Sequence, residues 1–311
     1  MATATCVAAA VNGTVALIGS SLAALTTHHA PVDVRSPVAL THPVDRWTVF
    51  VAIALSGLCA LGAEVIWTRL LSLILGGTFY AFSIILAVFL VGLALGSTGG
   101  SLLARGTMPP RMALFGCQML QAAAIAWTAF IIAKSLPYWP INPSLSPSPW
   151  VTFQVDLVRC LWAILPATIL WGASFPLALG AVASPGQDPG RLVGGIYAAN
   201  TIGAIIGAIG FSVVFVPWLG TQQSQRLLIG FSTIAALLLW VPLVRSRGAR
   251  PSAGAPSTIP AFSFTNAVWM GVAMGVAAWL AWSVPQGSGA VGNLWPFADC
   301  LEQRGGNPLR G

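Results

Sequence analysis

The chain has 311 residues, 56% hydrophobic and only 7% charged, with a mean hydropathy of +0.82. Soluble domains carry about 25% charged residues, so composition argues against a water-soluble fold of this size. The net charge of +7 comes from arginines at the ends of apolar runs, not from a basic patch interleaved with aromatics. That pattern reads as topology signals beside anionic lipid and speaks against nucleic acid as a partner.

Residues 1–46 read as a polar, unfolded N-terminal tail. Within it Ala8 to Leu25 is mildly apolar but diluted by Asn12, Thr14, Ser20 and Ser21, and a weak extra helix there is the minority reading. No basic residue precedes Arg35, so the tail lacks the n-region of a signal peptide. The stretch from Trp47 to Leu103 then holds only Glu64 and Arg69 as charges and no proline. A bilayer core takes about 20 apolar residues of helix, so the stretch predicts two spans, 47–75 and 78–103, reversing at Gly76-Gly77-Thr78. A third span, 112–136, ends at a proline-rich loop whose Tyr138, Trp139 and Trp150 suit a membrane interface.

The fourth span, 151–183, carries Pro166 and Pro176, where kinks are expected. After the turn-rich Ser184 to Gly190 comes a fifth span, 192–216, ending at Pro217-Trp218-Leu219-Gly220. A sixth covers 225–244, a basic linker follows, and a seventh covers 266–284. Residues 285–311 read as an unstructured C-terminal tail. The apolar runs are continuous rather than alternating, so in lipid they form helices and not a barrel. The fold class expected is all-α, a polytopic transmembrane helix bundle of about seven spans. With the N-terminus inside, eight arginines (35, 46, 105, 111, 191, 245, 247, 250) face the cytoplasm and four cations (Lys134, Arg226, Arg304, Arg310) the other side. The bias favours a multi-pass inner-membrane protein with a cytoplasmic N-terminus.

Two ladders of small residues recur every four positions, Gly92, Gly96 and Gly100 in the second span and Gly195, Ala199, Gly203 and Gly207 in the fifth. Four-residue spacing lines them up on one face and suits close helix packing. Ionisable groups inside a span are expensive and therefore informative. Glu64 and Arg69 lie in the outer part of the first span, and Asp156 and Arg159 at similar depth in the fourth. Crossed pairs, Glu64 with Arg159 and Asp156 with Arg69, would neutralise all four. A substrate or proton site at Glu64 is the sharper alternative. Asn200 has interhelical hydrogen bonding as its default role. The five cysteines show no paired spacing and the three histidines sit in the tail, so no metal site and no cofactor are expected. No Walker A, HExxH or nucleophile elbow appears, and no catalytic residue is assigned.

Three blocks carry a family resemblance: SGLCALGAEVIWTRLLSLILGGTFYAFSIILAVFLVGLALGS (56–97), LPATILWGASFPLALGAV (165–182) and GRLVGGIYAANTIGAIIGAIGFSVVFVPWLGTQQS (190–224). They resemble the membrane region of membrane-bound spermidine synthase-like proteins, also called fused major-facilitator/spermidine synthase proteins. The matched positions include Glu64, Trp67, Arg69, Gly96, Pro166, Gly172, Pro176, Tyr197, Asn200, Thr201, Gly203 and Gly207. In that family the membrane region precedes a soluble aminopropyltransferase-like domain that binds decarboxylated S-adenosylmethionine and a polyamine. No stretch here resembles that domain, so this chain alone is not expected to be catalytic. For the matched positions the resemblance implies a membrane-domain role; the hypothesis built on it is anchoring, or handling of a small cationic solute such as a polyamine. The partners it suggests are the lipid bilayer with a separate aminopropyltransferase domain or a second copy of the chain. The alternatives are a secondary transporter of major-facilitator type, or a fragment with a structural role alone.

Overall fold

The computed structural model describes residues 43–139, 149–183 and 188–245, together with Gly275, Trp279, Trp282 and Val284. Every element among them is helical. α1 (Pro43–Leu75) has no internal breaker until Gly76, whose φ of 95° is open to glycine and strained for other residues. Thr78 then caps α2 (Phe79–Ala104), its Oγ1 accepting from the Ala81 N–H at 3.3 Å. α3 (Pro110–Phe130) begins with proline in its first turn, where no amide donor is needed. It runs on through a π-helical turn, Ile131–Ser135, and a 3-10 turn, Leu136–Tyr138.

α4 (Pro149–Val182) follows, then α5 (Pro189–Ile209), capped by Asp188 through the Gly190 N–H at 3.0 Å. A π-helical turn, Gly210–Phe215, joins α5 to α6 (Val216–Arg245). Five helices are long and apolar enough to cross a membrane: Arg46–Leu75, Phe79–Ala104, Pro110–Tyr138, Trp150–Val182 and Pro189–Trp240. The last holds 52 residues, about 78 Å if straight, and it breaks at Gly220 (φ 78°, ψ 169°). Beyond the break the chain turns back. Cys59 of α1 meets Leu228 and Ser232, and Phe115 near the start of α3 meets Trp240 near the end of α6, ring centroids 5.8 Å apart.

The described chain therefore passes the bundle six times. The expected fifth span, ending at Pro217, continues as helix to Leu219. Pro217 comes directly after the π-helical turn, in which the Val216 N–H already reaches back to the Phe211 carbonyl. The expected seventh span, 266–284, lies outside the described residues apart from four positions, as do residues 285–311 and, of the expected tail 1–46, residues 1–42; residues 43–46 already belong to α1. Val284 is one of the four, and its carbonyl accepts from Gln222 Nε2 at 3.0 Å.

Packing follows the small residues. α2 lies on α4 and α5 lies on α1, each pair parallel: Gly92, Gly96 and Gly100 face Thr168, Ile169 and Ala173, and Gly195, Gly203 and Gly207 face Phe50, Ala54 and Leu58. α1, α3, α4 and α6 form the inner four-helix group, α3 running antiparallel to α4. Large apolar side chains such as Leu95, Leu102, Ile205, Ile209, Val213 and Trp218 face outward.

Pro166 removes the amide donor that the Trp162 carbonyl would have had in a regular helix. Trp127 of α3 supplies a substitute, its Nε1–H donating to that carbonyl at 3.2 Å with the two indoles edge to face at 5.4 Å. Trp127→Phe should lose about 1–2 kcal/mol by exposing that need. In a Pro166→Ala background the same change should cost less than half as much, as a double-mutant cycle on thermal unfolding would read.

Candidate functional site

Five polar residues single themselves out by sequence, and the fold distributes them over three places. Glu64 and Arg69 line one groove. Asp156 and Arg159 pair with each other elsewhere. Asn200 sits at the α1–α5 contact, its side-chain oxygen 2.8 Å from where a Cβ on Gly57 would be.

The groove has a volume of about 430 Å³ and is lined by Leu61, Glu64, Val65, Thr68, Arg69 and Ser72 of α1 with Phe82 of α2. Leu61, Val65, Thr68 and Ser72 are spaced i, i+4, i+7 and i+11, so they form one stripe and make the floor. Glu64 and Arg69 flank the stripe on opposite sides. Five residues apart, they stand about 140° around the helix and cannot meet as i, i+4 neighbours do. Among the described residues neither has an ion-pair or hydrogen-bond partner, and the Thr68 hydroxyl in the floor has none either. Glu64 is half-buried and Arg69 exposed.

The crossed pairs expected between the first and fourth spans are not formed. Arg159 Nη1 instead reaches Asp156 Oδ1 of its own helix at 3.4 Å, both side chains buried. A three-residue spacing brings the charges together without any match of register between helices. The second arm, Arg159 Nη2, donates to the Trp139 carbonyl at 2.9 Å and ties the end of the α3 extension to α4. This cluster is a tether, occupied by its own chain.

Sequence reasoning passed over an uncharged polar seam inside the bundle. Ser56 and Ser174 touch at 3.2 Å, and Ser232 donates to Cys59 Sγ at 3.6 Å. Gln118 and Gln121 of α3 are each 1% exposed. Their level is fixed by flanking contacts, Cys117 Sγ to the Leu170 carbonyl at 3.1 Å and Thr128 Oγ1 to the Ala163 carbonyl at 2.7 Å. Trp171 packs against Trp67 and Phe89, with centroids 5.5 and 5.9 Å apart. Gln118 Oε1, Gln121 Nε2 and both indole nitrogens have no partner among the described residues. Arg111 is also buried, in α3 rather than in a loop, with Nη2 donating to Thr48 Oγ1 at 2.6 Å. The available signal was two glutamines three apart in an apolar run. Among the described residues no three His, Cys, Asp or Glu side chains come together as a metal site.

No family model matches the chain, and no solved structure matches it. It is similar to polyamine aminopropyltransferase 2 of Streptomyces coelicolor (strain ATCC BAA-471 / A3(2) / M145), with 28% identity over 227 residues. Those residues are 65% of this chain and 37% of the relative, so the chain spans little more than a third of that protein's length. The likeness relates this helical chain distantly to a polyamine aminopropyltransferase.

Proposed function

We propose that the chain is an inner-membrane, multi-pass helical domain of the spermidine synthase-like kind, handling a small amine-bearing solute at the Glu64 groove. The observation that carries this is a carboxylate, without a partner among the described residues, in an open groove of an apolar helix 30 residues long. An isolated carboxylate inside a span is disfavoured, by up to about 2.5–3.5 kcal/mol at the helix centre on insertion scales, and a cationic partner offsets that penalty. The similarity to a polyamine aminopropyltransferase supplies the chemical class. The reading has the N-terminus cytoplasmic and the aminopropyltransferase-like chemistry on a separate domain or chain that this one anchors.

The test is spermidine binding to the detergent-purified chain by equilibrium dialysis. Glu64→Gln is expected to weaken binding at least tenfold, about 1.4 kcal/mol. Binding unchanged by that substitution would remove Glu64 from the reading. Recovery of the chain in the supernatant of broken cells without detergent would remove the membrane itself.

A second reading, a secondary transporter of major-facilitator type, is favoured by one feature of the packing. Each outer helix, α2 and α5, lies parallel on an inner one, α4 and α1, through a ladder of small residues. Helices related in this repeated way can rock against each other as units. Uptake of labelled spermidine into proteoliposomes, driven by a pH gradient, separates transport from binding alone.

A further inference from the structure

The groove at Glu64 holds both signs of charge, and this bears on what it can bind. Resting on the reading that the groove is a ligand site, we propose that its ligand is a zwitterion, a molecule with an ammonium group and an anionic group a few atoms apart. A plain cation satisfies Glu64 but meets Arg69 in the same groove. A plain anion meets the reverse. The two side chains cannot satisfy each other, because their five-residue spacing sets them on opposite flanks of the floor and about 7.5 Å apart along the axis. One molecule carrying both charges neutralises both.

The floor agrees with this polarity. Leu61 and Val65 make its inner end, and Thr68 and Ser72 make its outer end beside Arg69, with Phe82, three residues into α2, at that outer end as well. An ammonium on Glu64 lies over the apolar half. The anionic group lies toward the Arg69 end, where Thr68 and Ser72 make the floor. The stripe from Leu61 to Ser72 is about 16 Å long, and about 430 Å³ is within the range of small-molecule pockets. A guanidinium also matches a carboxylate or phosphate with two parallel hydrogen bonds. The same chemistry can arrive as a free solute or as the headgroup of an aminophospholipid.

The test uses the full chain in detergent and in lipid vesicles, with spermidine, O-phosphoethanolamine and phosphatidylethanolamine as probes. For wild type, O-phosphoethanolamine should bind at least tenfold tighter than ethanolamine or inorganic phosphate. Glu64→Gln should weaken both spermidine and O-phosphoethanolamine at least tenfold. Arg69→Gln should weaken O-phosphoethanolamine as much, and leave spermidine equal or tighter. In vesicles of phosphatidylethanolamine and phosphatidylglycerol, native mass spectrometry assigns the source. Selective retention of phosphatidylethanolamine, lost in both variants, identifies the headgroup, and its absence beside tight O-phosphoethanolamine binding identifies the free solute. Spermidine binding that needs Glu64, with O-phosphoethanolamine no better than ethanolamine or unaffected by Arg69→Gln, overturns the zwitterion and leaves the amine reading standing. Failure of every probe on wild type overturns both.

Discussion

Gly203→Ala is expected to lower the thermal midpoint of the purified chain by roughly 6–12 °C, and Gly96→Ala by a similar amount. A single methyl would have this effect because of what it meets. A Cβ on Gly203 would fall on the Ala54 carbonyl oxygen, with the Ala54 Cα only 2.9 Å away. On Gly96 it would fall on the Ile169 carbonyl, with the Ile169 Cα at 2.9 Å. Those atoms are backbone inside regular helices, so relief requires one helix to back away from the other. Overpacking penalties run to about 3 kcal/mol, which for a domain of this size is roughly 2–4 °C per kcal/mol.

The same substitution at Gly99 or Gly230 meets nothing within 4 Å. It should be neutral or stabilise by up to about 1 kcal/mol, since alanine is the better helix former. Gly203→Ala combined with Gly207→Ala should cost less than the sum, because both open the same α1–α5 contact. The readout is the temperature at which the monodisperse peak is lost on size-exclusion chromatography after heating. Equal losses at Gly99 and Gly203 would show that glycine flexibility, and not close approach, governs the helices.

The helices themselves were legible because continuous apolar length is a one-dimensional property. Trp47 to Leu75 and Phe79 to Ala104 need no partner to be recognised, and Gly76 marks their reversal by its own conformational freedom. The small-residue ladders were legible as faces. Their partners were not, since four-residue spacing says which side is flat and nothing about which helix lies there. The Glu64–Arg159 and Asp156–Arg69 expectation shows the limit most plainly. Similar depth along two spans makes pairing attractive, but pairing across helices depends on rotation as well as depth. A partner three residues away on the same helix needs neither. Pro217 shows the opposite limit, since a strong local breaker marks where a helix can end and not where it does. The helix passes it after a π-helical turn and gives way at Gly220 instead. The inner amides of Gln118 and Gln121 were overlooked because uncharged residues in an apolar run stand out less than charges do.

Asp156→Ala should cost about 3–5 kcal/mol, the range for removing one member of a buried ion pair, and leave much of the chain aggregated on extraction. The loss belongs less to the missing contact than to what it strands. Arg159 keeps its bond to the Trp139 carbonyl at 2.9 Å, so its guanidinium is held in place with its charge uncompensated, and its Nε already lacks a partner. Asp156→Asn retains an acceptor at the same position and should cost about half as much. The double substitution Asp156→Leu with Arg159→Met removes both charges and fills similar volume, a replacement that is often neutral for buried pairs. It should recover to within about 1 kcal/mol of wild type, the remainder being the lost tie to Trp139. A coupling of at least 2 kcal/mol across this cycle identifies a desolvated pair. An exposed pair of the same spacing gives about 0.3–0.5 kcal/mol. If the double variant is as unstable as Asp156→Ala, the anchoring of the α3 extension through Arg159, and not charge balance, is what holds α4 in place.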